Sequence, residues 1–163
     1  MKELLKKVSE SRRVSLTLRL ISHLAVLLSV LSYALLLAVS FTRSPLNALK
    51  LIAITAIPFL LVSAMRRLIN APRPYELYDF YTLPPKEKRG SSFPSRHVFS
   101  GFLIATLTCL WSLPLGICLF VSGVLLALSR VLLGIHFIRD CVAGALIGVI
   151  SGSIGALIAS PFV

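Results

Sequence analysis

Charge is scarce in this sequence. Only 14% of its residues are Asp, Glu, Lys or Arg, and just 6 of the 163 are acidic. A soluble globular domain carries about 25% charged residues, so a chain that is 56% hydrophobic with a mean hydropathy of +0.90 excludes a water-facing globular surface. The bilayer is the expected solvent. Cysteine is also sparse: Cys109, Cys118 and Cys141 lie in or beside apolar runs, show no metal-ligand spacing and cannot all pair with one another. They read as packing residues. There is no room for a second folded domain, so residues 1–163 are expected to form one membrane-embedded domain. The apolar run over residues 20–41 exceeds the 7 to 15 residues of a signal core, so it is expected to be a retained anchor and not a cleaved secretory leader.

What is abundant is apolar sequence in long blocks. Residues 16–41, 46–69, 98–113, 115–135 and 141–163 are expected to be helical crossings, since about 20 apolar residues span a bilayer as a helix. The fold class is therefore all-α, a multi-pass transmembrane bundle of about five helices. Residues 1–15 are basic, with Leu4, Leu5 and Val8 at helical spacing, and read as an interfacial segment on an anionic membrane surface. Pro58 falls inside the second block and predicts a kink. The third and fourth blocks meet at an uncharged turn around Ser112 and Pro114, which predicts an antiparallel hairpin. In the fifth, Gly144, Gly148 and Gly152 form a small-residue stripe suited to close helix approach. Residues 70–96 form the one long polar segment, broken by Pro72, Pro74, Pro84 and Pro85, with Tyr75, Tyr78 and Tyr81 placed to sit at the interface.

The net charge of +11 fits nucleic acid, an anionic leaflet or a phosphorylated substrate, and the hydropathy removes nucleic acid. With five crossings, every one of the 17 Lys and Arg except Arg43 and Lys50 falls on the side of the amino terminus and the 70–96 loop. The positive-inside rule then puts that side, in the cell membrane, toward the cytoplasm.

Three clusters of ionisable groups meet the same membrane edge: Arg66 with Arg73-Pro74, then Pro94-Ser95-Arg96-His97, then Ser129-Arg130 with His136 and Asp140. Arginines buried at a membrane edge require a partner, and several converging cations imply an anion. His136 and Asp140 are four residues apart, one face of a helix, so the carboxylate is expected to fix the imidazole tautomer and free the other ring nitrogen as a nucleophile. His97 is then the candidate general acid. Arg73 and Arg130 offer planar forks to phosphoryl oxygens, with Ser95 and nearby backbone N–H groups as further donors.

These three clusters, in this order, resemble the pattern of the type 2 phosphatidic acid phosphatase (PAP2) superfamily: Lys-x6-Arg-Pro, Pro-Ser-Gly-His and Ser-Arg-x5-His-x3-Asp. The third motif matches completely, and the motifs together run from Arg66 to Asp140. The resemblance implies a helical core shared with vanadate haloperoxidases, and hydrolysis of a lipid phosphomonoester or diphosphate of the phosphatidate, phosphatidylglycerol phosphate or polyprenyl diphosphate kind. It implies a phosphohistidine on His136, Asp140 as its orienter and His97 as proton donor, with Arg66, Arg73, Ser95 and Arg130 on the phosphate and neither metal nor cofactor. Ser129, Arg96 and Arg139 are accessory candidates. Two positions depart from the pattern: Arg66 stands for the usual lysine, and Arg96 for the glycine, where its side chain is expected to point away from the phosphate or toward a lipid headgroup. Familiar bacterial members have six spans and an outward-facing site, so five would invert it. The rival is a noncatalytic membrane protein that binds or moves an anionic lipid with the same pocket.

Overall fold

Each apolar block becomes a helix because the bilayer offers no water to an unpaired backbone N–H or C=O. The computed structural model describes residues 2–78 and 89–159, which places Tyr81, Pro84, Pro85 and Val163 outside the described residues. The elements are α1 (Lys2–Glu10), α2 (Arg12–Arg43), α3 (Pro45–Ile69), α4 (Pro74–Leu77), α5 (Arg96–Trp111), α6 (Leu113–Leu132) and α7 (Ile138–Ala159). The five long ones form the expected all-α bundle. Four segments, Arg12–Arg43, Pro45–Leu77, Leu113–Leu132 and Ile138–Ile158, are long and apolar enough to cross a membrane. The chain is an integral membrane protein, and many of its exposed side chains, Leu24, Leu31, Leu61, Val121 and Leu146 among them, are large hydrophobics such as lipid solvates.

The fifth, α5, has 16 residues and is the central helix, packed against α7, α6, α2 and α3. It is held there by glycines on α7. A Cβ on Gly144 would lie 2.6 Å from the Ser95 carbonyl oxygen, one on Gly148 2.5 Å from that of Phe99, and one on Gly152 2.6 Å from Thr106 Cβ. The stripe therefore lets two backbones touch. On its other side α5 turns directly into α6 at Ser112, which ends one helix and begins the next. Gly116 makes this hairpin tight, because its Cβ would stand 2.8 Å from Cys109 Cα.

Serine caps the helix starts where water would otherwise be needed: Ser11 Oγ accepts from the Val14 N–H, and Ser44 Oγ from that of Leu46. α3 ends at Asn70, whose left-handed conformation closes the helix through an N–H bond to the Arg66 carbonyl. Pro58 stays inside α3 without ending it. The amino-terminal helix α1 packs on α2 and α6 with Leu5 buried, while Glu3, Lys6 and Lys7 are exposed. Since the long helices alternate in direction, the start of α2, the ends of α3 and α6 and the starts of α5 and α7 all meet at one end of the bundle, where the three charged clusters lie.

Candidate active site

His136 lies in the connection between α6 and α7, not on a helix face, because α7 begins at Ile138. The ring and the carboxylate are brought together by capping instead. Asp140 sits in the first turn of α7 and its Oδ2 accepts from the Phe137 N–H at 3.0 Å, the reach-back of a capping box. Both groups are shut from solvent, His136 at 3% and Asp140 at 0% exposure.

Their direct separation, 3.6 Å from Nδ1 to Oδ2, is longer than a hydrogen bond. Ser92 fills the gap. Its hydroxyl donates to Asp140 Oδ2 at 2.5 Å and lies 3.2 Å from His136 Nδ1. A hydroxyl that donates to the carboxylate has its lone pairs left for the ring, so the imidazole carries its proton on Nδ1 and leaves Nε2 bare. Ser92, fully buried, was missed in the sequence, where it is one of three serines beside Pro94.

Burial pulls the His136 imidazole below the usual histidine range; Asp140 opposes this, and the charges of Arg73 and Arg66 add to the lowering. The ring is thus neutral near pH 7.

The remaining predicted residues divide by what they touch. Arg66, 6% exposed, donates from Nη1 to the carbonyls of Ser92, at 3.3 Å, and Pro94. It clamps the 89–95 segment across the site. Arg73 donates from Nε to the Gly90 carbonyl at 3.0 Å, while Glu76 accepts from the Gly90 N–H at 2.7 Å. Gly90 takes φ +64° and has no space for a Cβ, which would meet Asn70 Oδ1 at 2.2 Å. Asn70 Oδ1 in turn accepts from the Ser91 N–H, and the Ser92 N–H bonds to the Ala71 carbonyl. Short α4 docks on the 133–137 turn through Tyr75 N–H to Gly134 O and a Tyr78–Phe137 edge contact.

Ser95 caps α5 without a side-chain bond into the helix, and its Oγ is buried with no hydrogen-bond partner among the described residues. Nε of Arg130 is in the same state. Buried donors beside the amino terminus of α5, whose first helical N–H groups also lack partners, are the groups that an anion would satisfy. His97 belongs to the same cluster: the charges of Arg130, His136, Arg96 and Arg66 all act on it. It also lines a cavity of about 230 Å³ with Val26, Phe59, Arg96 and Leu126 between α2, α3, α5 and α6.

Arg96 adopts helical backbone, so replacing glycine here carries no left-handed strain. Its guanidinium lies over the Phe59 ring at 5.7 Å. Arg139 is 68% exposed, stacked over Phe137 with Nε 3.6 Å from Asp140 Oδ1. The Ser129 hydroxyl bonds back to the Leu125 carbonyl at 2.7 Å, and among the described residues no side-chain bond carries it to the charged cluster. Cys141 is buried beneath the site, while Cys109 and Cys118 are unpaired thiols elsewhere. Among the described residues no group of three or more His, Cys, Asp or Glu is placed to hold a metal ion.

Comparison with known proteins agrees with this geometry. The family model of the PAP2 superfamily matches residues 47–160, most of the chain. None of the curated proteins matches. Among solved structures, LpxE of Aquifex aeolicus is 28% identical with a TM-score of 0.70, covering 95% of this chain and 93% of its own. A transmembrane PAP2-type phosphatidylglycerolphosphate phosphatase from Bacillus subtilis shares the fold at a TM-score of 0.74 and 22% identity, covering 99% of this chain and 85% of its own. With its motifs gathered at one end of a matching bundle, the chain belongs to the PAP2 superfamily.

Proposed function

We propose that this PAP2 phosphatase hydrolyses a phosphomonoester or diphosphate of a membrane lipid, without a metal, through a phosphohistidine on His136. The observation that carries the reading is the Ser92 bridge, which ties Nδ1 of His136 to Asp140 and leaves Nε2 without its proton, in a bundle whose Arg130 Nε and Ser95 Oγ are buried without a hydrogen-bond partner among the described residues. Nε2 attacks phosphorus in line while His97 protonates the departing lipid oxygen. Asp140 stabilises the positive charge that grows on the ring. Water, deprotonated by His97, then cleaves the N–P bond and releases inorganic phosphate. Arg73, Arg130, Ser95 and the α5 amino terminus hold the phosphoryl oxygens, where charge accumulates. Arg66 supports them by fixing the 89–95 segment. The bound phosphate dianion, sitting between the rings, favours the protonated form of His97 that the first step requires.

The substrate enters sideways from the leaflet, through the cavity that Phe59 and Leu126 line beside His97. Its site faces the cytoplasm, because the amino terminus and the basic loop share that end of the bundle.

Purified protein in micelles tests this with lipid phosphates and excess chelator. Phosphate release should persist, rapid quenching should trap an acid-labile phosphoprotein, and His136→Ala should abolish both. Release that depends on added divalent cation rejects the mechanism, and binding without turnover in the wild type supports a lipid carrier instead.

A further inference from the structure

The catalytic chemistry occupies one end of the bundle, and the other end has a cavity of its own. α3 and α7 meet at Gly155, where a Cβ would lie 2.3 Å from Ile54 Cγ2. Beside that contact a cavity of about 440 Å³ lies between the two helices, within the range of small-molecule sites. Ala53 and Gly155 leave the space, and Ile57, Leu61 and Ile158, each more than half exposed, wall it. The cavity runs along α3 from Lys50 to Leu61, a rise of about 16 Å. Lys50, half-buried, is the one charged residue among the described ones that line it.

Dimensions and charge together identify the occupant. Spread over that rise, the volume gives a mean cross-section of about 27 Å², against roughly 80 Å² for a helix 10 Å across. A single hydrocarbon chain fits; a helix does not. Lys50 stands five residues in from the start of α3, at the end remote from the catalytic cluster, where its stem can lie along the apolar walls and its ammonium reach the headgroups. The sequence has no Asp or Glu from Ser11 to Tyr75, from Arg96 to Arg139 or after Asp140, so this end of the bundle is cationic. A tail in the groove therefore belongs to a lipid whose head is negative.

We infer that the α3–α7 groove is a binding site for one acyl chain of an anionic phospholipid, with the lipid phosphate on Lys50. The lipid comes from the leaflet opposite the catalytic cluster, so it is not the substrate, and the inference does not depend on the phosphatase reading. The chain lies between the helix that carries Arg66 and the helix that carries Asp140, filling space that would otherwise leave their facing walls without contact.

The test is lipid retention by the whole chain in detergent micelles, read by native mass spectrometry with dipalmitoyl phosphatidylglycerol and dipalmitoyl phosphatidylcholine in equal amounts. Both are phosphodiesters, so neither carries the group that the proposed reaction hydrolyses. Wild type should keep one phosphatidylglycerol in preference to phosphatidylcholine by about 5-fold, the worth of one cation near a headgroup. Lys50→Gln should bring the ratio near unity, whereas Arg43→Gln, which lies at the same end but does not line the groove, should leave it unchanged. Ala53→Phe should fill the groove and release both lipids, and Ala53→Leu, a smaller intrusion, reads the same effect should the Phe variant unfold. Glycerol 3-phosphate, which has the phosphate without a tail, should not displace the lipid. Equal retention of the two lipids, a ratio unmoved by Lys50→Gln, or retention unchanged in the Ala53 variants overturns the site. A wild-type dimer that Ala53→Phe disperses assigns the groove to a second copy of the chain and overturns it as well.

Discussion

Ser92 holds the nucleophile through one hydroxyl, with 2.5 Å to the carboxylate and 3.2 Å to the ring. Removing that hydroxyl leaves Asp140 and His136 3.6 Å apart and the ring free to turn. Ser92→Ala should therefore lower kcat about 10- to 100-fold with little change in KM. Asp140→Asn should lower it by about 10⁴, since the wrong tautomer is then favoured. Steady-state kinetics on one lipid phosphate reads both. The acid side of the pH profile follows from the lowered pKa of His136. Protonation destroys the nucleophile, so the loss of kcat/KM that is due to His136 should begin only below about pH 6.5, the ordinary histidine value. Arg73→Gln removes one cause of the lowering, so the acid limb should move toward neutral pH. Between the folded and unfolded pKa the unfolded chain binds the extra proton, so acidification through that window also lowers the melting temperature.

His136, Asp140, His97 and Arg130 were legible because motif order and spacing carry them. Ser92 was not, since a serine among Ser91 and Ser95 has no spacing of its own, and its role exists only once the 89–95 segment is drawn across α7. The spacing of His136 and Asp140 pointed to two groups that the structure does bring within 3.6 Å, but by another route: a capped turn before α7 replaces the expected helix face.

At the level of elements, the apolar blocks lie within a few residues of α2, α3, α5, α6 and α7, since hydrocarbon dictates both helix and length. The hidden part was that α5 is the central helix. The glycine stripe was visible, but its partner was not, because four-residue spacing says only that some helix comes close. The two ends of the stripe should behave differently on substitution. Gly152→Ala presses on the Thr106 side chain and should cost about 1 to 3 kcal/mol of stability with kcat retained. Gly144→Ala presses on the Ser95 backbone, 2.6 Å away, and should lower kcat as well as stability. Thermal unfolding in detergent and initial rates, measured on both variants, check the contrast. Equal kcat in the two would mean that the α5–α7 contact does not set the site.

For the whole molecule, the five long helices of the described residues put the start of α2 and the end of α7 at opposite ends of the bundle, with the charged clusters at the α2 start. Basic residues reinforce this: Arg43 and Lys50 are the two cations outside the crowded side. A reporter fused ahead of Met1 should report cytoplasm, and one after Val163 the opposite compartment. The reverse pattern would turn the site outward without altering its chemistry.

The unequal lengths of α2 and α5 have a mechanical result. Arg12 and Arg13 are exposed at the start of the 32-residue α2, and Arg19 stands seven residues beyond Arg12, about 10 Å further along the helix. On the proposed reading, with Arg12 and Arg13 at headgroup level, a lipid phosphate would have to sink below the plane of its neighbours to be processed. Bilayer thickness then becomes a kinetic variable: thin, short-chain membranes bring their phosphates down to the guanidinium groups, and thick ones hold them out of reach.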